Sequence, residues 1–269
     1  FHIITGQISA AKNIYKCVEK SGLKVSELAL EPLASAEAVL SKEELEAGVV
    51  LVDIGGGTTD VAIFHDNIIR HTAIIPYGGN VITEDIKEGC NVMKAHAELL
   101  KVKFGSALAN ELSESEIVSI PGIRGREARE ISIKNLSKII QARIEEIMEL
   151  VYYEIKASNM EKKLAGGIVL TGGGSQLKHI AQLAEFVTGL DARIGYPNEH
   201  LAKGMVDEVK SPIYATSVGL VLRGLADERA SGGTINISGE QYQEEKKKTA
   251  LFDRIKDWLK DEVDVADYK

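Results

Sequence analysis

Apolar residues recur along this chain in two rhythms. In GVVLVDI (48–54) and GGIVLT (166–171) they run without interruption, as in strands buried on both faces of a sheet. In KNLSKIIQARIEEIMELVYYEIKAS they fall three and four apart, at Leu136, Ile139, Ile140, Ile144, Ile147, Leu150 and Val151. That spacing predicts one long amphipathic helix. Ile14, Cys17 and Val18 predict an earlier helix, with Gly22 as its stop. A short strand is expected near Leu28–Leu30, then a small-residue helix from Ala34 to about Leu40. DVAIF and IIRHTAII read as two strands around a turn at His65–Asn67. Gly79 to Lys103 reads as helical. The segment from Ser113 to Ile133 is turn-rich and predicts a small sheet with an exposed tip at Pro121–Gly125. A strand, a glycine turn and a helix follow, and SPIYATSVGLVLRGL is the last small-residue helix.

Strands alternating with helices place the chain in the α/β class. Its 269 residues suffice for one large domain or two modest ones, and 44% hydrophobic with 27% charged residues is ordinary for a globular protein. The net charge of -8 argues against a nucleic-acid surface, so no nucleic-acid partner is expected. Cys17 and Cys90 lack metal or redox spacing, which points to a reducing compartment and two buried thiols. No apolar run reaches 18 residues, and no secretory signal is visible. The chain starts at Phe1 inside what reads as the middle of a structure, so a fragment is expected. His65, His71, His96, His179 and His200 show no metal spacing, and no Ser–His–Asp or Cys–His arrangement stands out.

The candidate chemistry lies in VLVDIGGGTTDVAIF (50–64). Gly55, Gly56 and Gly57 let the backbone approach a ligand closely, and successive N–H groups in such a turn cradle anions. The hydroxyls of Thr58 and Thr59 are expected to add donors for phosphate oxygens. A carboxylate beside phosphate requires a cation, so Asp53 is expected to hold Mg2+, directly or through water. Asp60 either serves the same cation or holds the loop. VLTGGGSQL repeats the device: Gly172, Gly173 and Gly174 are expected at a helix N-terminus, where the dipole favours an anion. One nucleotide could lie between the turns.

This pairing resembles the second phosphate motif and the adenosine motif of the actin-like ATPases. LEPLASAEAVL resembles that superfamily's first connecting helix, and AHAELLKVKFG its adenine-side helix. The order of TGQISAAKNIYKCVEKSGL, DIGGGTTDVAIF, IPYGGNVITEDI, AELLKVKFGSA and LTGGGSQL is most similar to the FtsA family of bacterial division proteins. The resemblance implies an actin-like, ribonuclease H-like α/β fold with two facing halves around a nucleotide cleft. The family's first phosphate motif is not in the sequence, so the N-terminal part of that fold is expected to be absent. The resemblance further implies ATP and Mg2+ as cofactors and Glu31 as the residue near the attacking water. It gives Glu98 and Lys101 as nucleotide contacts, and Arg129 and Arg143 as candidates for binding the FtsZ C-terminal tail. Arg124 and Arg126 sit on the glycine-flanked tip.

The organisation expected is a remnant of the first half (1–46) and two segments of the second half's core (47–80 and 166–225) around an inserted subdomain (81–165). A polar linker (226–248) and an amphipathic helix (249–263) follow. In that helix Leu251, Phe252, Ile255, Trp258 and Leu259 share an apolar face, as suits a membrane interface. The function implied is an ATP-binding, self-polymerising adaptor that tethers FtsZ to the cytoplasmic face of the cell membrane at the division site. Any hydrolysis is expected to be slow, with nucleotide acting as a switch. The alternatives are a pilus-assembly ATPase, a sugar kinase or a chaperone ATPase of the same superfamily.

Overall fold

A computed structural model of the chain describes residues 3–113, 115–120, 128–197, 201 and 209–230. It opens with α1 (Ile8–Lys20), none of whose residues is buried. Leu23 N–H reaches back to Val18 O at 3.2 Å while Gly22 takes φ +78°, the stop read from the sequence. Residues 23–30 form no regular structure, so the strand expected at Leu28–Leu30 is corrected. Next come α2 (Glu31–Val39), with Pro32 in its first turn, and the short α3 (Lys42–Ala47), closed by a reciprocal Ser41–Glu44 capping box.

Then β1 (Val49–Ile54), β2 (Thr59–His65) and β3 (Ile68–Ile75) run as an antiparallel meander. Asp66 and Asn67, both at positive φ, make the two-residue turn that matches strand twist. The β2–β3 register shifts between Ile63 and Phe64, leaving Arg70 as the extra residue on β3. A bulge and a charge on an edge strand discourage pairing with another chain.

Between β3 and the rest of the sheet come α4 (Gly79–Cys90), α5 (Lys94–Phe104), a two-stranded ribbon of β4 (Ile117–Ile120) and β5 (Arg129–Ser132), and α6 (Ile133–Ala157). The single helix expected from Gly79 to Lys103 is therefore two, broken where Asn91 takes the left-handed conformation. The predicted tip at Pro121–Gly125, with Arg124, lies outside the described residues, as does Arg126.

The chain then returns through β6 (Ile168–Thr171), α7 (Ile180–Thr188), β7 (Ala192–Ile194) and α8 (Ala215–Ala230). β6 pairs parallel to β1, and β7 parallel to β6, giving the order β3-β2-β1-β6-β7. One face of this sheet packs on α4, α6 and α7, where Leu136, Ile140, Ile144, Ile147, Val151 and Ile155 are fully buried. The other face packs on α2 and the start of α8 through Val39, Leu51, Ala62, Phe64 and Val218. The unbroken apolar runs of β1 and β6 follow from this double coverage.

Residues 1–224 form one compact unit; of the second, 225–269, only the end of α8 is described. That helix runs to Ala230, inside the stretch read as linker from residue 226. Cys90 is buried, but Cys17 is exposed, a correction to the pair of buried thiols. Among the described residues no helix is long and apolar enough to cross a membrane.

Candidate functional site

The β1–β2 turn is closed by Gly55 N–H donating to Thr58 O at 2.9 Å. It is braced from behind by the start of α4, where Gly79 N–H donates to Gly55 O at 2.9 Å and Asn80 N–H to Gly56 O at 2.7 Å. A Cβ on Gly78 would stand 2.6 Å from Gly55 O, so glycine is needed for this approach. Gly56, Gly57 and Thr58 are exposed at the tip. Thr58 Oγ1 donates to Asp60 Oδ2 at 3.1 Å. Thr59 is fully buried, and its hydroxyl donates to Tyr77 O at 2.8 Å. The expectation that Thr59 offers its hydroxyl to phosphate is corrected: that proton ties the turn to the chain entering α4.

Thr171, at the end of β6, stands beside Asp53 in parallel register. After it Gly172 takes φ +80°, and a Cβ there would lie 2.3 Å from Asp53 Oδ1. A Cβ on Gly174 would lie 2.3 Å from Ile54 Cγ2. The second glycine turn therefore packs directly on Asp53 and Ile54, the last residues of β1 before the first glycine turn. A short 3-10 turn, Gly173–Gln176, follows, and α7 begins only at Ile180. The helix N-terminus expected at Gly172–Gly174 is corrected, and with it the dipole argument.

Three carboxylates lie toward the end of β1: Asp53 and Asp60 are buried, and Glu31 is an exposed residue whose carboxyl is partly shielded. Asp53 is 6% exposed and faces Asp60 in the β1–β2 register. Ser35 Oγ, on α2, donates to Asp53 Oδ2 at 2.9 Å. Burial pushes the Asp53 carboxyl above the ordinary carboxylate range; the Ser35 hydrogen bond opposes this and the Asp60 charge adds to it. Asp60 is raised by burial against the Thr58 hydrogen bond. Glu31, in the first turn of α2, is raised by burial, then by the charges of Asp60 and Asp53. Among the described residues no group of three or more His, Cys, Asp or Glu is arranged to hold a metal ion by itself. A single buried carboxylate suits Mg2+, which keeps most of its coordination for water and phosphate oxygens.

A cleft of about 530 Å³ opens between the glycine turns and α5. Gly55, Gly56, Glu98, Lys101, Gly173 and Gly174, all singled out from the sequence, line it; Asp53 lies behind that wall. Lys101 Nζ donates to Gly79 O at 2.9 Å and to Thr83 Oγ1 at 2.8 Å, and pairs with Glu98 at 2.8 Å. Burial would raise the Glu98 carboxyl, but the hydrogen bonds from Lys101 and Thr83 hold it below its ordinary range. Asn80, Leu177 and Ile213 also face the cleft. Sequence reasoning missed them because nothing local marks a side chain brought in by a distant turn. The same holds for Ser35 and Thr216, whose hydroxyl oxygens are 3.0 Å apart.

Arg143 does not present a free charge. Its guanidinium binds Asp85 through both Nε (2.6 Å) and Nη2 (3.0 Å), pairs with Glu146, and sits 5.8 Å from the centre of the Tyr77 ring. The reading of Arg143 as a partner-binding charge is corrected to a clamp between α6 and α4. Arg129, on β5, is exposed and donates to Asn91 O at 3.0 Å. Leu251, Phe252, Ile255, Trp258 and Leu259, and His200, lie outside the described residues.

Comparison with known proteins adds three findings. A family model described as Cell division protein FtsA matches residues 50–219. Cell division protein FtsA of Pseudomonas aeruginosa is 40% identical over 258 residues, which cover 96% of this chain. The chain spans 61% of the length of that relative. Among solved structures, MreB5 of Spiroplasma citri bound to ADP superposes with a TM-score of 0.65 at 18% identity, over 85% of this chain and 69% of that one. The MamK double helical filament gives 0.61 at 15% identity, over 81% and 65%. At these identities the structural likeness gives the fold, which is actin-like.

Proposed function

The chain belongs to the FtsA family of cell division proteins, and from that premise we propose that it carries the second-half face of an ATP site in an adaptor that polymerises and tethers the FtsZ ring to the cytoplasmic membrane. The observation that carries the nucleotide reading is that both glycine turns line one cleft, with Gly172 making room for Asp53 Oδ1 beside it. Gly55–Thr58 would face the phosphates, and Gly173, Gly174 and Leu177 the nucleoside, with Lys101 and Glu98 at its edge. Asp53 would hold Mg2+, which offsets phosphate charge. Glu31 would orient water, so that any hydrolysis is slow and nucleotide acts as a switch. The ADP bound to MreB5 supports a nucleotide as the ligand, and the MamK filament supports self-assembly. Arg129 is the remaining candidate of the two for the FtsZ tail, and the segment 249–263 the candidate for the membrane.

Gly173→Leu is the direct test. A Cβ at Gly173 meets only Ile213 Cγ1, at 3.9 Å, so a side chain there enters the cleft without disturbing the fold. Calorimetric titration with Mg2+ and ATP in the full-length protein is expected to show affinity reduced more than tenfold at an unchanged melting temperature. Binding equal to wild type would place nucleotide elsewhere and overturn the reading.

A further inference from the structure

In the β1–β2 turn, Gly55 O and Gly56 O both point back to α4, where they accept from Gly79 N–H at 2.9 Å and Asn80 N–H at 2.7 Å. In a trans peptide the carbonyl and the N–H that follows it point in opposite directions. Tying these two carbonyls to α4 therefore turns the N–H groups of Gly56 and Gly57 away from it. Both lie at the exposed tip, and neither has a partner among the described residues. The aim of these two donors is thus set by where the first residues of α4 stand. Nothing at that helix start holds it in place by itself. Gly78 and Gly79 carry no side chains, and α4 has no side-chain cap.

Lys101 supplies the hold from α5. An ammonium has three protons, and three acceptors take them: Gly79 O at 2.9 Å, Thr83 Oγ1 at 2.8 Å and Glu98 Oε2 at 2.8 Å. Thr83 is buried and donates its own proton to Glu98 Oε2, so the acceptors fix one another. Only 12% of the Lys101 side chain is exposed. The ammonium stands beside the cleft with no donor left over for a ligand.

We propose that Lys101 is a positioning residue for the β1–β2 turn: through Gly79 it fixes the aim of the Gly56 and Gly57 N–H groups, and it does not itself touch the nucleotide. Its loss weakens the hold on phosphates and spares the nucleoside side of the cleft at Gly173, Gly174 and Leu177. The inference rests on the nucleotide reading above.

The test compares full-length wild type with Lys101→Met, which keeps the unbranched stem and removes the donors. Affinity for ATP with Mg2+ is read by calorimetry, and affinity for adenosine by competition. ATP is expected to bind about tenfold more weakly, as for loss of one hydrogen bond to a charged group, and adenosine as in wild type. Amide hydrogen exchange without nucleotide is expected to quicken at Gly55, Gly79 and Asn80 while the amides of β6 keep their protection. Where adenosine competes too weakly to measure, the exchange arm decides. Parallel loss of ATP and adenosine would make Lys101 a nucleoside contact. Weakened ATP binding with unchanged exchange would make it a direct charge for phosphate. Amides of β6 that quicken equally would make it a residue of general stability. Each of these, like an unchanged affinity for ATP, overturns the proposal. If wild type binds no ATP, the nucleotide reading falls and takes this inference with it. Wild-type binding with any of the contrary outcomes removes only the role of Lys101.

Discussion

Gly172 and Asp53 show how far single residues could be read from the sequence. The glycines and the aspartate stand out because no ordinary strand carries them. What the sequence does not display is that Gly172 needs to be glycine for Asp53's sake. Gly172→Ala would place a methyl group at φ +80° and into the carboxylate oxygen. Strain and overlap together should cost about 3 kcal/mol, measurable by urea denaturation. The raised carboxyls give a prediction with a definite sign. Burial first, and then mutual repulsion at Glu31 and Asp53, lift all three above their ordinary values. The folded chain therefore keeps protons that the unfolded chain releases. Their contribution favours folding most below the unfolded carboxylate pKa of about 4, and is lost as pH rises through the higher folded values. Asp53→Asn keeps an acceptor for Ser35 while removing the charge. It should melt higher than wild type at pH 7 in the absence of ligand, with the gap closing toward pH 4, about the unfolded Asp value. The same substitution should abolish any Mg2+-dependent nucleotide binding.

Elements were legible where periodicity was long, and their partners were not. The 3.6-residue rhythm from Leu136 to Val151 lies within α6: Leu136, Ile140, Ile144, Ile147 and Val151 are buried, Ile139 and Leu150 only partly so, and Ser137, Met148 and Ile155 are buried besides. The break at Asn91 was missed because apolar spacing continues across it, while a left-handed residue leaves no periodic trace. The 3-10 turn after Gly172 was read as helix because four residues cannot distinguish the two. Arg143 gives the clearest case of an element contact hidden from sequence. On its own helix it reads as a charge on a polar face, yet its fork closes on Asp85 of α4, 58 residues earlier. With only 23% of its side chain exposed, this bidentate pair should contribute about 1–2 kcal/mol. Arg143→Ala is expected to lower stability by that amount in chemical denaturation. Arg143→Lys should fail to restore it, because an ammonium cannot make the parallel pair of bonds. A stability unchanged in both variants would return Arg143 to the list of charges free for a partner.

At the scale of the molecule, the proposed attachment to a membrane would follow from number more than from any one contact. The terminal segment presents Leu251, Phe252, Ile255, Trp258, Leu259 and Val263 at helical spacing. From Lys246 to Glu262 it carries six basic and four acidic residues, a balance of +2. So modest a charge gives anionic lipid little hold, and one short amphipathic helix binds reversibly. A filament carrying many copies converts each further insertion into a local event at high effective concentration. Vesicle binding should therefore rise steeply with protein concentration once assembly begins, and yield only partly to salt. Co-sedimentation of the full-length protein with anionic vesicles measures this. Trp258→Glu, which puts a charge in the centre of the apolar face, is expected to leave the protein in the supernatant at every concentration. Wild-type binding that rises in simple proportion to concentration would mean that single helices suffice. No pelleting of either protein would mean that the segment docks on protein instead, and the adaptor role would have to rest on another surface.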